Sequence, residues 1–385
     1  MGQSDGARTD VASTAGPSLA APARAALTPL RWLGPPDGPV IELLDQTRLP
    51  AEEAFIRCGS VPELVDAIGR LVVRGAPLLG VAGAFGVALA AYRGDDVEAA
   101  AAAITAARPT AVNLGWGARR ALQSYRAAAG DGGPVPSHET GARAALAEAQ
   151  AIAAHDAAAS AAMAGHGLTL VPAGARILTH CNTGGLVSAG AGTAFAVILA
   201  AHRAGRLAQL WVDETRPLLQ GARLTAWEAR RTGIPHAVLA DNAAASLLAA
   251  GQVDLVLTGA DRIAADGSVA NKVGTYGLAV LARHHGVPFV VVAPVSTVDL
   301  DTPDGASITV EHRPAAEVTS FAGQQAAPAD TPAYNPAFDV TPPDLVTALV
   351  TEEGVIQPVT AGNLRVLGSG AHAIAGPQSA VYVER

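Results

Sequence analysis

Residues 175–190 read ARILTHCNTGGLVSAG, and residues 253–277 read VDLVLTGADRIAADGSVANKVGTYG. Each begins as a short run of branched, apolar residues and stops at a reactive side chain, Cys181 in the first and Asp261 in the second. LAQLWVDE (207–214), HAVLA (236–240) and PFVVVAP (288–294) repeat the pattern, with helix-like segments between them. Apolar strands alternating with helices specify a parallel sheet covered on both faces. In an open sheet of this kind ligands bind outside the carboxyl ends of the strands, so a thiol and a carboxyl group are placed to face a substrate. No GxGxxG follows the first strand, which argues against a dinucleotide site.

Outward from this region the pattern changes. Residues 1–28, MGQSDGARTDVASTAGPSLAAPARAALT, are small, polar and interrupted by proline, which predicts a disordered leader. LRWL (30–33) and VIELLDQ (40–46) read as short strands. SVPELVDAIGRLVVRG (60–75) reads as a helix starting at Ser60 or Val61, and the segments through Gly167 read as mostly helical. At 385 residues the chain exceeds the usual size of one core. The expected class is therefore α/β: a mostly helical N-terminal domain over 29–147, a connecting helix over 148–172, and a Rossmann-like parallel-sheet catalytic domain over 173–385. Late in the chain, 319–339 reads as a loop, and PPDLVTALVTEEGVIQPV (342–359) as a helix and a strand.

Charge and cysteine usage exclude several classes. With 26 basic and 34 acidic residues the net charge is -8, and no basic run tracks a nucleic-acid backbone, so no nucleic-acid partner is expected. Cys58 and Cys181 are too few for a disulfide framework or a thiolate zinc site, which fits a reducing cytoplasm and no metal. The uncharged stretches 75–92 and 182–201 approach the length of a membrane span, but both are rich in Gly and Ala and read as buried helices. No signal-peptide pattern opens the chain, and no membrane partner is expected.

The candidate site residues have bland readings beside functional ones. Cys181 precedes a Gly184-Gly185 turn predicted to open a helix, whose N-terminal amides would favour a thiolate or hold a phosphate. It also reads as a buried, inert cysteine. His180 points to the opposite face of the strand and reads as structural. Asp261 follows an apolar run, where a carboxyl group can stay protonated as a general acid requires, although a turn aspartate has the same context. Asn271 and Lys272 follow a DG turn and are predicted to begin the next helix. RGAPLLG (74–80) offers Arg74, the amides of Gly75 and Ala76, and Pro77 at a helix start. Arg108 in ARPTAVNLGWG and Gln220 in DETRPLLQGARLT are weaker signals alone.

Taken in order, RGAPLLG, RPTAVNLGWG, THCNTGGLVSAGAGTAFAVI, VDETRPLLQGARLTAWE, TGADRIAADGSVANKVGTYGLAVLA and NPAFDVTPPDLVTALVTEEGVI resemble the methylthioribose-1-phosphate isomerase family. That family is related to regulatory subunits of the translation-initiation nucleotide exchange factor and to ribose-1,5-bisphosphate isomerase. The resemblance implies conversion of 5-methylthioribose 1-phosphate to 5-methylthioribulose 1-phosphate in methionine salvage, by a cytoplasmic homodimer without metal or organic cofactor. It implies catalytic roles for Cys181 and Asp261, and a sugar phosphate bound by Arg74, Gly75, Ala76, Arg108, Gln220, Asn271 and Lys272. The run from Gly184 to Ala189 departs from the family's Gly-Ala-Leu-Ala-Thr-Ala and bears on the 5-substituent. Another sugar 1-phosphate, such as 5-deoxyribose 1-phosphate or ribose 1,5-bisphosphate, and a non-catalytic regulatory role are the alternatives.

Overall fold

In the computed structural model, residues 27–130, 138–321 and 323–367 are described. Nearly all of the leader expected over residues 1–28 lies outside them.

The N-terminal region opens with an antiparallel sheet of β1 (Leu30–Leu33), β2 (Val40–Leu44) and β3 (Phe55–Cys58). Helices α1 (Val61–Gly69), α2 (Ala76–Arg93), α3 (Val97–Ala106), α4 (Val112–Ala129) and α5 (His138–Leu168) follow. Ser60 caps α1 by accepting from the Glu63 N–H. The helix stops at Gly69, short of the run that suggested it, and Leu71 sits at φ 64.

The second region contains β4 (Ala175–Thr179), α6 (Ala194–Arg203), β5 (Leu207–Asp213), α7 (Ala226–Thr232), β6 (His236–Leu239), α8 (Ala244–Ala249) and β7 (Leu255–Thr258). Next come β8 (Arg262–Ala264), β9 (Val269–Lys272), α9 (Thr275–His285), β10 (Phe289–Val292) and β11 (Val298–Asp299). The short β12 (Ser320–Phe321) and β13 (Gln324–Gln325) precede β14 (Phe338–Thr341), β15 (Ala348–Thr351) and β16 (Gly354–Ile356).

The main sheet has the order β16-β15-β10-β7-β4-β5-β6, parallel throughout except where β16 turns back on β15. Its side chains alternate between two cores, as strand geometry requires. Ile177, Leu255, Leu257, Val290 and Val292 pack with Met163 of α5 and Phe195 of α6. Leu178, Val256, Phe289 and Val291 pack on the other face with Leu248 of α8 and Leu278 of α9. The sheet is thus mixed α/β architecture with helices on both sides.

Three sequence readings are corrected. Residues 342–359 form the β15–β16 hairpin after a single 3-10 turn over Pro343–Leu345, not a helix and a strand. Ala348–Thr351 is buried throughout, which suits a central strand better than an amphipathic helix. Asn271 and Lys272 end β9 rather than begin a helix, because they pair with Asp339 and Phe338 of β14, and α9 starts only after Gly274 at φ 107. That pairing belongs to a second sheet, β11-β8-β9-β14, which the sequence did not reveal. Finally, 182–201 is helical only from Ala194; the preceding glycine-rich stretch is a loop.

Helix α5 enters both hydrophobic cores: Ala142, Ala149 and Ile152 lie in the N-terminal one, Ala159 and Met163 in the sheet's. It also holds the loop after Cys181. Asp156 accepts from the Ser188 hydroxyl and the Ala189 N–H, while Ser160 donates to the Gly192 carbonyl and accepts from the Ala191 N–H.

Helix α2 is long and apolar enough to cross a membrane by length and composition, yet nearly all of it is buried within the protein. Its glycines permit close packing on α4. A Cβ at Gly117 would meet the Gly80 carbonyl oxygen at 1.9 Å, and one at Gly83 the Leu114 oxygen at 2.5 Å. Gly117→Ala must push the two helices apart and is expected to destabilise the fold by about 1–3 kcal/mol. Denaturant unfolding measures this, and an unchanged midpoint would refute the close approach.

Candidate active site

Cys181 lies two residues past the end of β4 and has φ 63, a left-handed conformation that a residue with a Cβ rarely takes. Its N–H donates to Thr215 Oγ1 at 2.8 Å, and its carbonyl accepts from Thr225 Oγ1 at 2.6 Å. Both threonines lie on the segment after β5, the neighbouring strand. Gly221–Thr225 forms a π-helical turn, a departure often found at functional sites.

The N-terminal region reaches this thiol through the start of α2. Arg74 donates to Asn182 Oδ1 at 3.0 Å, to the Asn182 carbonyl at 3.4 Å and to Cys181 Sγ at 3.4 Å. Gly75, at φ 91, is the N-cap of α2, and a Cβ there would lie 2.2 Å from Val187 Cβ. Ala76, the first helical residue, is buried. These three positions therefore pack on the turn that follows Cys181.

That turn is not the expected helix entrance. Gly185–Val187 makes one 3-10 turn, and the Leu186 N–H donates to Glu228 Oε1 at 3.1 Å. The Glu228 carboxylate also accepts from Asn182 Nδ2 at 2.6 Å. Amides predicted to favour a thiolate or a phosphate thus serve a buried protein carboxylate. Burial pushes Glu228 up to about 7, although Asn182, the turn amides and Arg74 pull it back.

Asp261 lies just beyond β7, its N–H bonded to the Ala270 carbonyl at 2.9 Å. Burial raises its carboxyl above the ordinary range; Arg108, Lys272 and Arg74 oppose that rise, and Glu311 adds to it. Burial lowers the Lys272 ammonium, against the opposing influence of Cys181 and Asp261. These couplings bring Cys181, Asp261, Arg74, Arg108 and Lys272 into one electrostatic cluster. Lys272 Nζ donates to the Ala337 carbonyl at 2.7 Å and stands 5.2 Å from the Phe338 ring centroid. Arg108 lies 5.8 Å from the same centroid and pairs with Glu311 at 3.3 Å.

The remaining sequence candidates are less tightly joined. The buried Asn271 amide donates to Thr275 Oγ1 at 2.9 Å, a bond between the end of β9 and the start of α9. Gln220 is buried on the segment after β5, and its Oε1 has no hydrogen-bond partner among the described residues. Arg108 Nε is in the same condition. Unsatisfied buried polar atoms are costly, and a polar ligand would relieve them.

His180, buried beside Cys181, contacts Asp213 Oδ2 at 3.0 Å and the Val273 carbonyl at 2.9 Å. Burial opposes its charged form, but the Asp213 pairing overrides this and raises its pKa. Asp241 accepts from the Thr215 and Arg216 N–H groups, both at 2.7 Å. His180, Asp213 and Asp241 have metal-ligand spacing, but these bonds already use both ring nitrogens and both Asp241 oxygens. The group braces the Thr215 segment that holds Cys181. Sequence reasoning gave no role to Asn182, Thr215, Glu228, Glu311 or Phe338. Asn182 was legible only as the neighbour of Cys181, Phe338 only within the NPAFDV stretch, and Glu228 only as the end of an apparently ordinary helical motif.

The structure thus gathers a thiol and a carboxyl group held toward its neutral form, both just past strand ends, with Lys272 at the end of β9 and two arginines from the helical region. The chain belongs to the initiation factor 2 subunit family, whose family model matches residues 72–358. It is 49% identical over 348 residues to the methylthioribose-1-phosphate isomerase of Pelotomaculum thermopropionicum, covering 88% of this chain and 93% of that one. It is 51% identical over 333 residues to the methylthioribose-1-phosphate isomerase of Anaeromyxobacter sp. strain K, with 86% and 94% covered. Among solved structures, the 5-methylthioribose 1-phosphate isomerase of Pyrococcus horikoshii OT3 superposes with a TM-score of 0.78 at 40% identity, over 88% of this chain and 94% of that one. The translation initiation factor eIF-2B subunit delta of A. fulgidus gives 0.73 at 39% identity, over 88% and 99%.

The two cysteines differ enough to be told apart chemically. Cys58 is 1% exposed in the N-terminal core, and burial pushes its thiol up to about 11. Iodoacetamide followed by peptide mapping is expected to modify Cys181, 6% exposed, before Cys58; equal rates, or Cys58 first, would show that the Cys181 sulfur is not the more accessible.

Proposed function

We propose that the chain converts 5-methylthioribose 1-phosphate to 5-methylthioribulose 1-phosphate, the aldose–ketose isomerisation of methionine salvage. The observation that carries this reading is the Arg74 guanidinium on Cys181 Sγ at 3.4 Å, in a site that also gathers Arg108 and Lys272 about the Phe338 ring. It occurs in a chain about half identical, over most of its length, to proteins bearing that name.

The substrate's chemistry explains the residue types. A phosphate on C1 locks the sugar as a ring acetal, so no free aldehyde is available and ring opening needs an acid. Neutral Asp261, favoured by burial, donates its proton to the ring oxygen as the bond from that oxygen to C1 breaks. The Cys181 sulfur takes the C2 proton, leaving an enol phosphate, and returns that proton to C1. The C2 hydroxyl proton passes to the Asp261 carboxylate, which restores the acid and leaves the C2 ketone. Arg74, Arg108 and Lys272 supply positive charge for the phosphate, each charge-assisted contact contributing about 1.5–3 kcal/mol. Gly75 and Ala76 shape the wall beside Arg74, and Gln220 and Asn271 offer buried amides to the sugar hydroxyls.

A homodimer in a reducing cytoplasm, without nucleic-acid or membrane partners, completes the proposal. The net charge of -8 weighs against a nucleic-acid partner, and two free cysteines suit a reducing compartment.

The test is turnover of 5-methylthioribose 1-phosphate, 5-deoxyribose 1-phosphate and ribose 1,5-bisphosphate side by side. Preference for the first is expected, and activity on none would favour a regulatory role. Cys181→Ser and Asp261→Asn should each lower kcat by about 100- to 10,000-fold with the fold intact. Because the protonated acid starts the reaction, kcat/KM should fall as pH rises through the elevated Asp261 pKa. A rate that rises across that window would reverse the assigned role.

A further inference from the structure

Glu228 lies in α7, remote in sequence from every candidate catalytic residue, yet its carboxylate is buried against the loop that carries the thiol. An asparagine amide has one accepting and one donating end, and a carboxylate can only accept. With Glu228 Oε2 2.6 Å from Asn182 Nδ2, the amino end of Asn182 must face Glu228. Its oxygen then faces Arg74, which donates to it at 3.0 Å. The same guanidinium donates to Cys181 Sγ through its other terminal nitrogen at 3.4 Å. Two further bonds fix the relay. Glu228 Oε1 accepts from the Leu186 N–H, and the Asn182 amide also donates to Thr225 Oγ1 at 3.3 Å, the hydroxyl bonded to the Cys181 carbonyl.

We propose that Glu228 is a positioning residue for this site: by accepting from the amide nitrogen of Asn182 it turns the Asn182 oxygen toward Arg74 and so holds the guanidinium on the Cys181 sulfur. The inference deepens the isomerase reading and rests on it for the catalytic consequence. The relay itself needs no assumption about substrate. A buried carboxylate is an expensive way to satisfy the turn amides, which water or a side-chain hydroxyl would serve at less cost. In its ionised form it only accepts, which is what the asparagine requires.

The test reads the thiol without substrate. Rates of Cys181 alkylation by iodoacetamide are measured by peptide mapping for Glu228→Gln, Asn182→Ala and the double variant, with thermal melting as a folding control. Each single variant should alkylate about 10-fold more slowly, the weight of one charge-assisted hydrogen bond to the sulfur. The double variant should lose no more than either single one, because the three residues act in series. If Glu228 merely caps the turn, Glu228→Gln will leave the rate unchanged or the losses will multiply, and the proposal falls. Should Glu228→Gln fail to fold, Glu228→Asp, whose shorter carboxylate falls short of Asn182 Nδ2, decides: a slower thiol supports the relay, and an unaltered one overturns it. In turnover, kcat of either variant should fall by about 10- to 100-fold. A coupled alkylation result together with no sugar-phosphate turnover would keep the relay and sink the isomerase reading.

Discussion

The left-handed backbone at Cys181 is the constraint around which the rest of the structure is arranged. A non-glycine residue in that conformation costs about 1–3 kcal/mol and persists only where its surroundings over-determine it. Here they do. Thr215 takes the N–H, Thr225 supplies the carbonyl's partner, and both come from the segment beyond β5. That segment is itself fastened by Asp241 to the Thr215 and Arg216 amides. His180, wedged between Asp213 and the Val273 carbonyl, ties the same strand ends to the sheet behind. Release of this network would let Cys181 relax toward ordinary extended backbone and swing its sulfur away from Arg74.

A second constraint is charge. The molecule is acidic overall at -8, yet Arg74, Arg108 and Lys272 are gathered around Asp261 and the thiol. Folding must bring these cations together against their mutual repulsion and against desolvation of Lys272. Glu311 offsets part of that cost at Arg108, and the Phe338 ring lies near both Arg108 and Lys272. The helical region contributes Arg74 and Arg108, while the sheet region contributes Cys181, Asp261 and Lys272. The cluster is therefore complete only when the two regions are docked.

Much of this architecture could be read from local pattern. Strands β4, β7 and β10 were visible as short branched runs buried on both faces, β5 and the edge strand β6 as apolar runs that are only partly buried, and Ser60 marked the start of α1. What stayed hidden depended on partners distant in sequence. Asn271 and Lys272 look like the first turn of a helix until β14, more than sixty residues later, pairs with them. The end of the chain looked helical because the apolar spacing of 342–359 fits either period, and only the neighbouring β10 selects the strand. At the site, Cys181 and Asp261 stood out by their place after apolar runs, and Arg74, Arg108 and Lys272 proved to share one field. Glu228 had no local signal. Its importance comes from a loop more than forty residues earlier in the chain, and a glutamate near the start of a helix is otherwise ordinary.

Helix α5 acts as a splint. Its 31 residues have one apolar footing in the helical core and another in the sheet core, so separating the two regions would bend the helix or bring one footing into water. Asp156 and Ser160, on the part of the helix that grips 188–192, would carry any such bending straight into the loop behind Cys181. The stiffness of the body and the alignment of the thiol are thus one mechanical property, and a gape between the halves would come at the expense of the very geometry it exposed.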